Sequence, residues 1–514
     1  MDVDPQQLPT DLAACHALIG GLLTELDVRD RTVRQLQHQL EQLLRWRYGA
    51  KRERVNENQL FLEALQIVTG QAPQPVPPTP TDSATPTPPA TRRPGHGRQS
   101  LPAHLPRQRQ EFDVPIEHRH CPQCQSVLQH IGEEVSERLE YVPASLRVIQ
   151  EVCHKYACTR GCTVVTAEKP MQPIEKGLPG PGLLAHVVVN KYADHLPLYR
   201  QEAMLERQGV KLSRSTMCDW MRRCAELTSP LYELMKQQVL ASHAVQTDDT
   251  PVAVLDPELP RTRLGRLWTY VGDAQHPFTV YDYTPTRCQD GPLAFLKLFH
   301  GRLQADAYAG YDALYNDSDR EIIEIACWAH ARRKFYEAQT SDPMRSMILL
   351  AYIRLLYDVE HEAREQKLKT DGRRALRQAK SLPILADIRA YLQTEQPKVL
   401  PKSPEGQAMA YTLNNWQALV RYADDGALEI DNNGAERSLR GIAIGRKNWM
   451  FYGSDNGGKT AAVLSSMVAT CKRLHMDPFV YLRDLFERIS AHPANRLAEL
   501  LPDQWKAAQA ADTS

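Results

Sequence analysis

The sequence predicts a multidomain α/β protein carrying extra helical and metal-binding segments at its N-terminal end. Three observations lead there: apolar heptads followed by a proline-rich stretch, two close cysteine pairs, and a later region where strand-like alternation and helical periodicity take turns. With 514 residues the chain exceeds a single core, and at roughly 100–200 residues per unit three or four domains are expected.

Composition narrows the function classes. Sixty-two Lys plus Arg balance 62 Asp plus Glu, so any attraction to a polyanion must come from local clusters. The apolar fraction of 42% and the charged fraction of 24% are ordinary for globular chains. No run of about 18 apolar residues exists, which argues against a membrane span. Met1 to Thr10 lack an apolar core segment, so no secretory signal is expected. The 11 cysteines are odd in number, and Cys15, Cys218, Cys224 and Cys471 lie isolated in helical patterns. Such usage suits a reducing, cytoplasmic setting.

Residues 1–66 read as a leucine-zipper-like coiled coil. Leu12, Ile19, Leu26, Val33 and Leu40 occupy one heptad position, and Cys15, Leu22, Leu36 and Leu43 another, with Arg29 interrupting the second row. A seam of this kind is buried by a partner helix or by the chain's own body. Residues 67–110 form a Pro/Thr-rich linker with few large apolar side chains and a basic cluster at Arg92, Arg93 and Arg98.

Residues 111–170 are expected to be a zinc-binding ribbon. Cys121 and Cys124 form a CxxC knuckle, Cys158 and Cys162 a CxxxC pair, and the stretch between them is long enough for a small hairpin. Zn2+ takes four soft ligands in a tetrahedron, and a module this poor in large apolar residues would draw its folding energy from the metal. His120, Cys153 and His154 are nearby substitutes, and the widened second pair makes Cys162 the weakest assignment.

Residues 180–240 are helical. Leu198 to Gln208, Gly209, and Ser213 to Cys224 make either a helix-turn-helix or a plain helical hairpin, with Arg214, Arg222 and Arg223 on the outer side. In residues 241–458, strand-like runs at 245–255, 267–271 and 278–283 precede a helical 292–299 and a strand-like 303–307. Three strands, a helix and a further strand suit an RNase H-like core. A helical insertion is expected at about 343–425, and residues 459–514 form a C-terminal helical segment.

Three carboxylates stand out. Asp248 and Asp249 end the alternation of the first strand, Asp306 follows the fourth strand and precedes a glycine-bearing turn, and Glu436 lies in a helix starting near Asn432. Two Mg2+ or Mn2+ ions need oxygen ligands and can clamp the entering and leaving oxygens of a phosphoryl displacement. Between the second and third carboxylates, Trp328 and His330 are placed to serve DNA or the ligands, or to be core and cap. Arg332, Arg333 and Lys334 after them, and Arg437, Arg440, Arg446 and Lys447 along and beyond the third motif, are candidate phosphate contacts. Trp449 fits a base-stacking or a core role.

The chain resembles transposases of the insertion sequence 66 family over nearly its whole length. The resemblance is carried by the zipper-like start, CPQC with KYACTRGC, QTDDTPVAVL, LQADAYAGYDALY, ACWAHARRKF, DNNGAERSLRGIAIGRKNWMFYGSDNGG and HMDPFVYLRDLFERI. It implies a catalytic, metal-binding DDE triad of Asp248, Asp306 and Glu436. The family usually has Asp-Glu-Thr where this chain has Asp248-Asp249-Thr250, which leaves Asp249 as the fallback for the first position. It also implies cleavage and strand transfer at the terminal inverted repeats of a mobile element, with target DNA, self-association through the coiled coil, and accessory proteins of the same element as partners. The setting implied is the bacterial cytoplasm, on the nucleoid when DNA-bound. Two rival readings are a nuclease that cuts without joining and a zinc-dependent DNA-binding protein.

Overall fold

The computed structural model describes residues 11–48, 59–70, 146–150, 154–157, 164–166, 171–175, 177–316 and 321–512. Two compact units divide the chain, residues 74–167 and the remainder. In the smaller unit, β1 (Lys155–Ala157) and β2 (Val164–Thr166) pair as an antiparallel hairpin. The expected zinc ligands Cys121, Cys124, Cys158 and Cys162 lie outside the described residues, the second pair within the connection between β1 and β2.

The larger unit begins with α1 (Leu12–Tyr48) and α2 (Gln59–Thr69). Along α1 the heptad residues Ile19, Leu26, Val33 and Leu36 are exposed, so within one chain this part of the seam is uncovered. The expected coiled coil spans residues 1–66 and so takes in most of α2. Instead, α2 packs through buried Phe61 and Ala64 into the core of the helical insertion.

Next come α3 (Pro181–Tyr192), α4 (Leu198–Arg207) and α5 (Arg214–Leu240). Gly209, at φ +83°, turns the chain between α4 and α5, a backbone region open to glycine at little cost. Ser213 caps α5 by accepting from the Thr216 N–H at 3.2 Å. The helix does not stop near Cys224. It continues into the core with Leu231, Met235 and Val239 fully buried.

A six-stranded sheet follows. β3 (Ala244–Val254), β4 (Arg263–Val271) and β5 (Thr279–Thr284) form an antiparallel meander. After α6 (Asp290–Phe295) the chain enters β6 (Gly301–Ala305), then α7 (Asp312–Tyr315) and β7 (Ile322–Ala326). β6 lies parallel to β3, and β7 parallel to β6, giving the order β5-β4-β3-β6-β7.

α8 (Trp328–Ala338) leads into the helical insertion: α9 (Pro343–Glu365), α10 (Thr370–Leu376), a π-helical turn at Arg377–Ser381, α11 (Leu382–Glu395), α12 (Pro404–Asn414) and α13 (Trp416–Val420). The chain returns to the sheet through α14 (Asn433–Trp449) and β8 (Phe451–Tyr452), which pairs parallel with the far end of β3. α15 (Asp455–Arg473), α16 (Pro478–Arg488) and α17 (Pro502–Asp512) finish the unit. α15 lies against β5, its Ser466 hydroxyl accepting from the Tyr281 N–H at 2.8 Å. No helix among the described residues is long and apolar enough to cross a membrane.

Candidate active site

The pairing of β3 with β6 ends at Gln246 opposite Gln304. Side chains two apart on a strand share a face. Asp248 and Asp306 each lie two residues beyond that pair, Asp248 within β3 and Asp306 just past β6, so both follow the same end of the paired stretch. The Gln246 amide donates to Gln304 Oε1 at 2.9 Å and to Asp431 O at 3.1 Å, and the Gln304 amide donates to Glu429 O at 2.8 Å. A buried and a half-buried amide thereby fasten the segment leading into α14 onto both strands, and Glu436 follows in the first turn of that helix.

More contacts hold this lead-in. Asn432, fully buried, donates to Thr247 O at 3.3 Å, and its backbone N–H to Cys327 Sγ at 3.4 Å. The Asp431 carboxylate accepts from Tyr357 Oη at 2.8 Å and from Asn433 Nδ2 at 2.7 Å. Gly434 allows the close approach, since a Cβ there would stand 2.2 Å from Gln246 Oε1. One turn further on, the Ser438 hydroxyl meets Thr269 Oγ1 at 2.9 Å, and Ser438 O accepts from Tyr281 Oη at 2.7 Å. Since Asp248 pairs with Thr269 across β3 and β4, α14 covers the face on which Asp248 lies.

Burial pushes the Asp248 carboxyl up to about 7. The Asp249 N–H, donating at 2.7 Å, opposes that shift, while the charges of Asp306, Glu436 and Asp249 add to it. Asp306 is also raised, chiefly by burial, against the pull of His330 and Arg287. His330 Nε2 stands 3.7 Å from Glu436 Oε1. Burial lowers the imidazole's proton affinity, with Glu436 and Asp306 resisting. Glu436 Oε1 and His330 Nδ1 are both buried without a hydrogen-bond partner. The three sequence-predicted carboxylates therefore share one electrostatic neighbourhood. They do not converge on a common point: among the described residues no three His, Cys, Asp or Glu side chains form a metal-holding group.

Asp249, on the opposite face of β3, has other partners. Its side chain is 3% exposed and accepts from Arg266 Nη1 at 2.9 Å and from Arg287 Nε and Nη2 at 3.1 and 2.9 Å. Both its oxygens are engaged by guanidinium groups.

The candidate phosphate contacts differ in their surroundings. On α5, Arg214 pairs with Glu202, Arg222 with Asp219 and Glu226, and Arg223 with Asp219. These exposed pairs sit within the helical hairpin itself and are individually weak. On α8, Arg333 and Lys334 are exposed and Arg332 half-buried, Lys334 standing 4.6 Å above the Tyr411 ring. On α14, Arg437, Arg440 and Lys447 are exposed along one stripe. Arg446 turns inward and donates to Thr250 Oγ1 at 2.9 Å and Pro251 O at 2.7 Å, anchoring α14 to β3. Trp328 is core: fully buried, it donates to Leu419 O at 2.9 Å. Trp449 stacks on Tyr452 at 4.6 Å.

Sequence reasoning missed Arg287, Gln246 and Gln304. The two glutamines had a signal, because Gln246-Thr-Asp248 and Gln304-Ala-Asp306 repeat one Gln-x-Asp pattern at the ends of paired strands. Arg287 had none, since it comes from a loop after β5 with no periodicity to aim it.

The arrangement sets carboxylates near one another on a mixed sheet beside a helical insertion, and comparison with known families says what kind of protein carries it. Residues 176–460 match the model of the Transposase IS66 family, and residues 466–502 match the IS66 C-terminal element. Residues 118–162 match the zinc-finger binding domain of transposase IS66, and residues 35–109 the model described as Transposase C of IS166 homeodomain. Three similar proteins come from Sinorhizobium fredii. Uncharacterized protein y4jD is 36% identical over 82% of this chain and 86% of its own length. Uncharacterized protein y4hP is 32% identical over 93% and 89% of the two chains, and y4qI 34% over 96% and 93%. The chain belongs to the Transposase IS66 family.

Proposed function

We propose that this transposase cleaves DNA at the terminal inverted repeats of its element and joins the freed ends to target DNA, with Asp248, Asp306 and Glu436 as the metal-binding triad. The observation that supports the reading is that the charges of Asp306 and Glu436 both act on the Asp248 carboxyl where the pairing of β3 with β6 ends, with an unpartnered buried oxygen on Glu436. The strand order β5-β4-β3-β6-β7, antiparallel then parallel, supports an RNase H-like core. Oxygen-only donors fit Mg2+ or Mn2+. When bound, these cations supply charge neutralisation and a more acidic water.

The chain's own residues do the rest. The glutamine pair and Asn432 position the carboxylates. The exposed cations of α14 and α8 hold phosphates along the strand leading to Glu436. In cleavage a water oxygen bonds to phosphorus, the bond from phosphorus to the 3′-oxygen breaks, and that oxygen takes up a proton. In joining, the 3′-hydroxyl loses its proton and bonds to a target phosphorus, while the bond from that phosphorus to the target strand's own 3′-oxygen breaks and that oxygen takes up a proton. Cys121, Cys124, Cys158 and Cys162 hold Zn2+ in the small unit, and the exposed seam of α1 pairs protomers. Accessory proteins of the element assemble with the complex. The protein works in the cytoplasm, on the nucleoid.

The test uses a plasmid carrying this chain's own gene with its flanking DNA. Wild-type protein with Mg2+ cuts and joins it, while Asp306→Asn does neither and binds the same DNA within about threefold. Cutting by the Asn variant at the wild-type rate, or equal loss of binding and cutting in a folded variant, rejects the triad. Cutting without joining of pre-cut ends reduces the reading to a nuclease.

A further inference from the structure

Two residues of the signature motifs are unused by the metal-binding reading: Asp249 in QTDDTP and Tyr308 in LQADAYAGY. Both converge on one arginine. Arg287, on the loop after β5, donates through Nε and Nη2 to Asp249 Oδ1 at 3.1 and 2.9 Å. Its guanidinium lies 4.1 Å from the centre of the Tyr308 ring, and its backbone carbonyl accepts from Tyr308 Oη. The Tyr308 ring packs in turn against Trp268 and Tyr311, at 6.2 and 5.8 Å between centroids. Gly310 makes room for it, since a Cβ there would meet the Tyr308 ring at 2.1 Å. Arg287 is held from three sides, yet it is 39% exposed, and Nη2 stands 4.0 Å from Asp306 Oδ2.

A purely structural ion pair would not explain this placement. Asp249 already has Arg266 at 2.9 Å, so it does not need Arg287 for neutralisation, and Arg287 is left facing Asp306 as well. Its exposed part lies at the lip of the carboxylate site, where a phosphate drawn to the triad would arrive. A planar guanidinium offers two parallel donors to phosphate oxygens, and one fixed beforehand needs no reorganisation as charge develops.

We propose that Arg287 is a catalytic residue that donates to a non-bridging oxygen of the scissile phosphate, with Asp249 and Tyr308 as its positioning residues. The proposal rests on the triad reading. It adds no chemical step, because Arg287 keeps its protons and stabilises the negative charge of the displacement.

The experiment compares full-length wild type, Arg287→Ala, Arg287→Lys and Glu436→Gln. The plasmid bearing this chain's gene and flanks is cut at saturating Mn2+. Duplex binding is measured by fluorescence anisotropy in EDTA, and Mn2+ binding by calorimetry. Arg287→Ala loses about 100-fold to 1000-fold in single-turnover rate at saturating DNA, the range for removing a preorganised donor. It keeps duplex affinity within about threefold and Mn2+ affinity at or above wild type, since a cation beside Asp306 has gone. Arg287→Lys retains the charge without the planar fork and restores no more than about a tenth of the rate. A rate for Arg287→Ala within about threefold of wild type overturns the proposal. So does a rate loss that is matched by weaker Mn2+ binding, which would make Arg287 a support for the carboxylates. Failure of the parent reading looks different: wild type that does not cut, or Glu436→Gln that binds Mn2+ and cuts normally.

Discussion

Gln246 donates its side-chain amide to Gln304 Oε1 at 2.9 Å across the parallel junction of β3 and β6. Through their remaining amide hydrogens the two residues hold Asp431 O and Glu429 O. All three carboxylate-bearing segments meet at this pair. Gln304→Ala leaves the Glu429 carbonyl and the Gln246 amide short of partners at a buried position, which costs about 1–3 kcal/mol. Mn2+ affinity should fall about tenfold or more, as for groups that orient metal ligands. Thermal unfolding and calorimetric Mn2+ titration of the variant check both figures. Wild-type metal affinity in Gln304→Ala would mean that the carboxylates are positioned by other contacts.

The neighbouring carboxylates Asp248 and Asp249 should separate cleanly by substitution. Asp248→Asn removes a charge that faces Asp306 and Glu436, so Mn2+ binding and cutting are lost while the fold is kept or gains stability through reduced repulsion. Asp249→Asn strips the partner from Arg266 and Arg287. Breaking a buried pair from one side costs about 3–5 kcal/mol, discounted here because Arg287 is partly exposed. That variant should unfold at lower temperature and still bind Mn2+. The reverse pattern would move the first triad position to Asp249.

These pairs also mark how far the sequence could be read. Strand alternation placed Asp248 within the half-buried run 245–255, and the turn after Leu303-Gln-Ala placed Asp306, because period-two patterning is local. The N-cap region at Asn432 likewise gave the start of the helix bearing Glu436. That β3 and β6 lie side by side in parallel was not local information, and the glutamine bridge that depends on it went unread. The role of α2 was hidden for a related reason. Its apolar face matches a surface on α9 some 280 positions away, which the continuity of the N-terminal helical pattern could not reveal. Trp328 and Arg446, candidate DNA contacts by composition, acquired inward hydrogen bonds that only tertiary packing specifies.

Glu405 makes the helical insertion sensitive to pH. It is buried, its Oε2 accepts from Ser346 Oγ at 2.8 Å, and Oε1 has no partner. Burial pushes the carboxyl from 4.5 up to about 8. Between those values the folded chain keeps a proton that the unfolded chain has released. The folded state therefore binds more protons, and stability falls as pH rises through the window from about 4.5 to about 8. Glu405→Gln fixes the neutral form, so the fall in melting temperature between pH 5 and pH 8.5 should be smaller than in wild type. At pH 5 the two proteins should melt close together. Parallel pH profiles would show that Glu405 ionises without cost.

Arg377 joins the insertion to the segment that carries the third carboxylate. It is 1% exposed and meets Glu360 through Nε and Nη2 at 2.7 and 2.8 Å. Its remaining donors reach Tyr422 O, Asp425 O and Leu428 O at 2.8, 2.9 and 2.9 Å. Burial alone would raise Glu360, but Arg377 and then Arg373 outweigh it and hold that carboxyl below its ordinary range. Arg377→Met leaves Glu360 a buried charge with only Arg373 beside it and frees three carbonyls upstream of Asp431. The expected cost is about 3–5 kcal/mol. A double variant, Arg377→Met with Glu360→Met, removes the stranded charge and should recover part of that loss, though not the loop carbonyls. Chemical denaturation of the two variants measures the difference. If Arg377→Met unfolds at the wild-type midpoint, or if the double variant is less stable than the single one, the ion pair does not hold this loop.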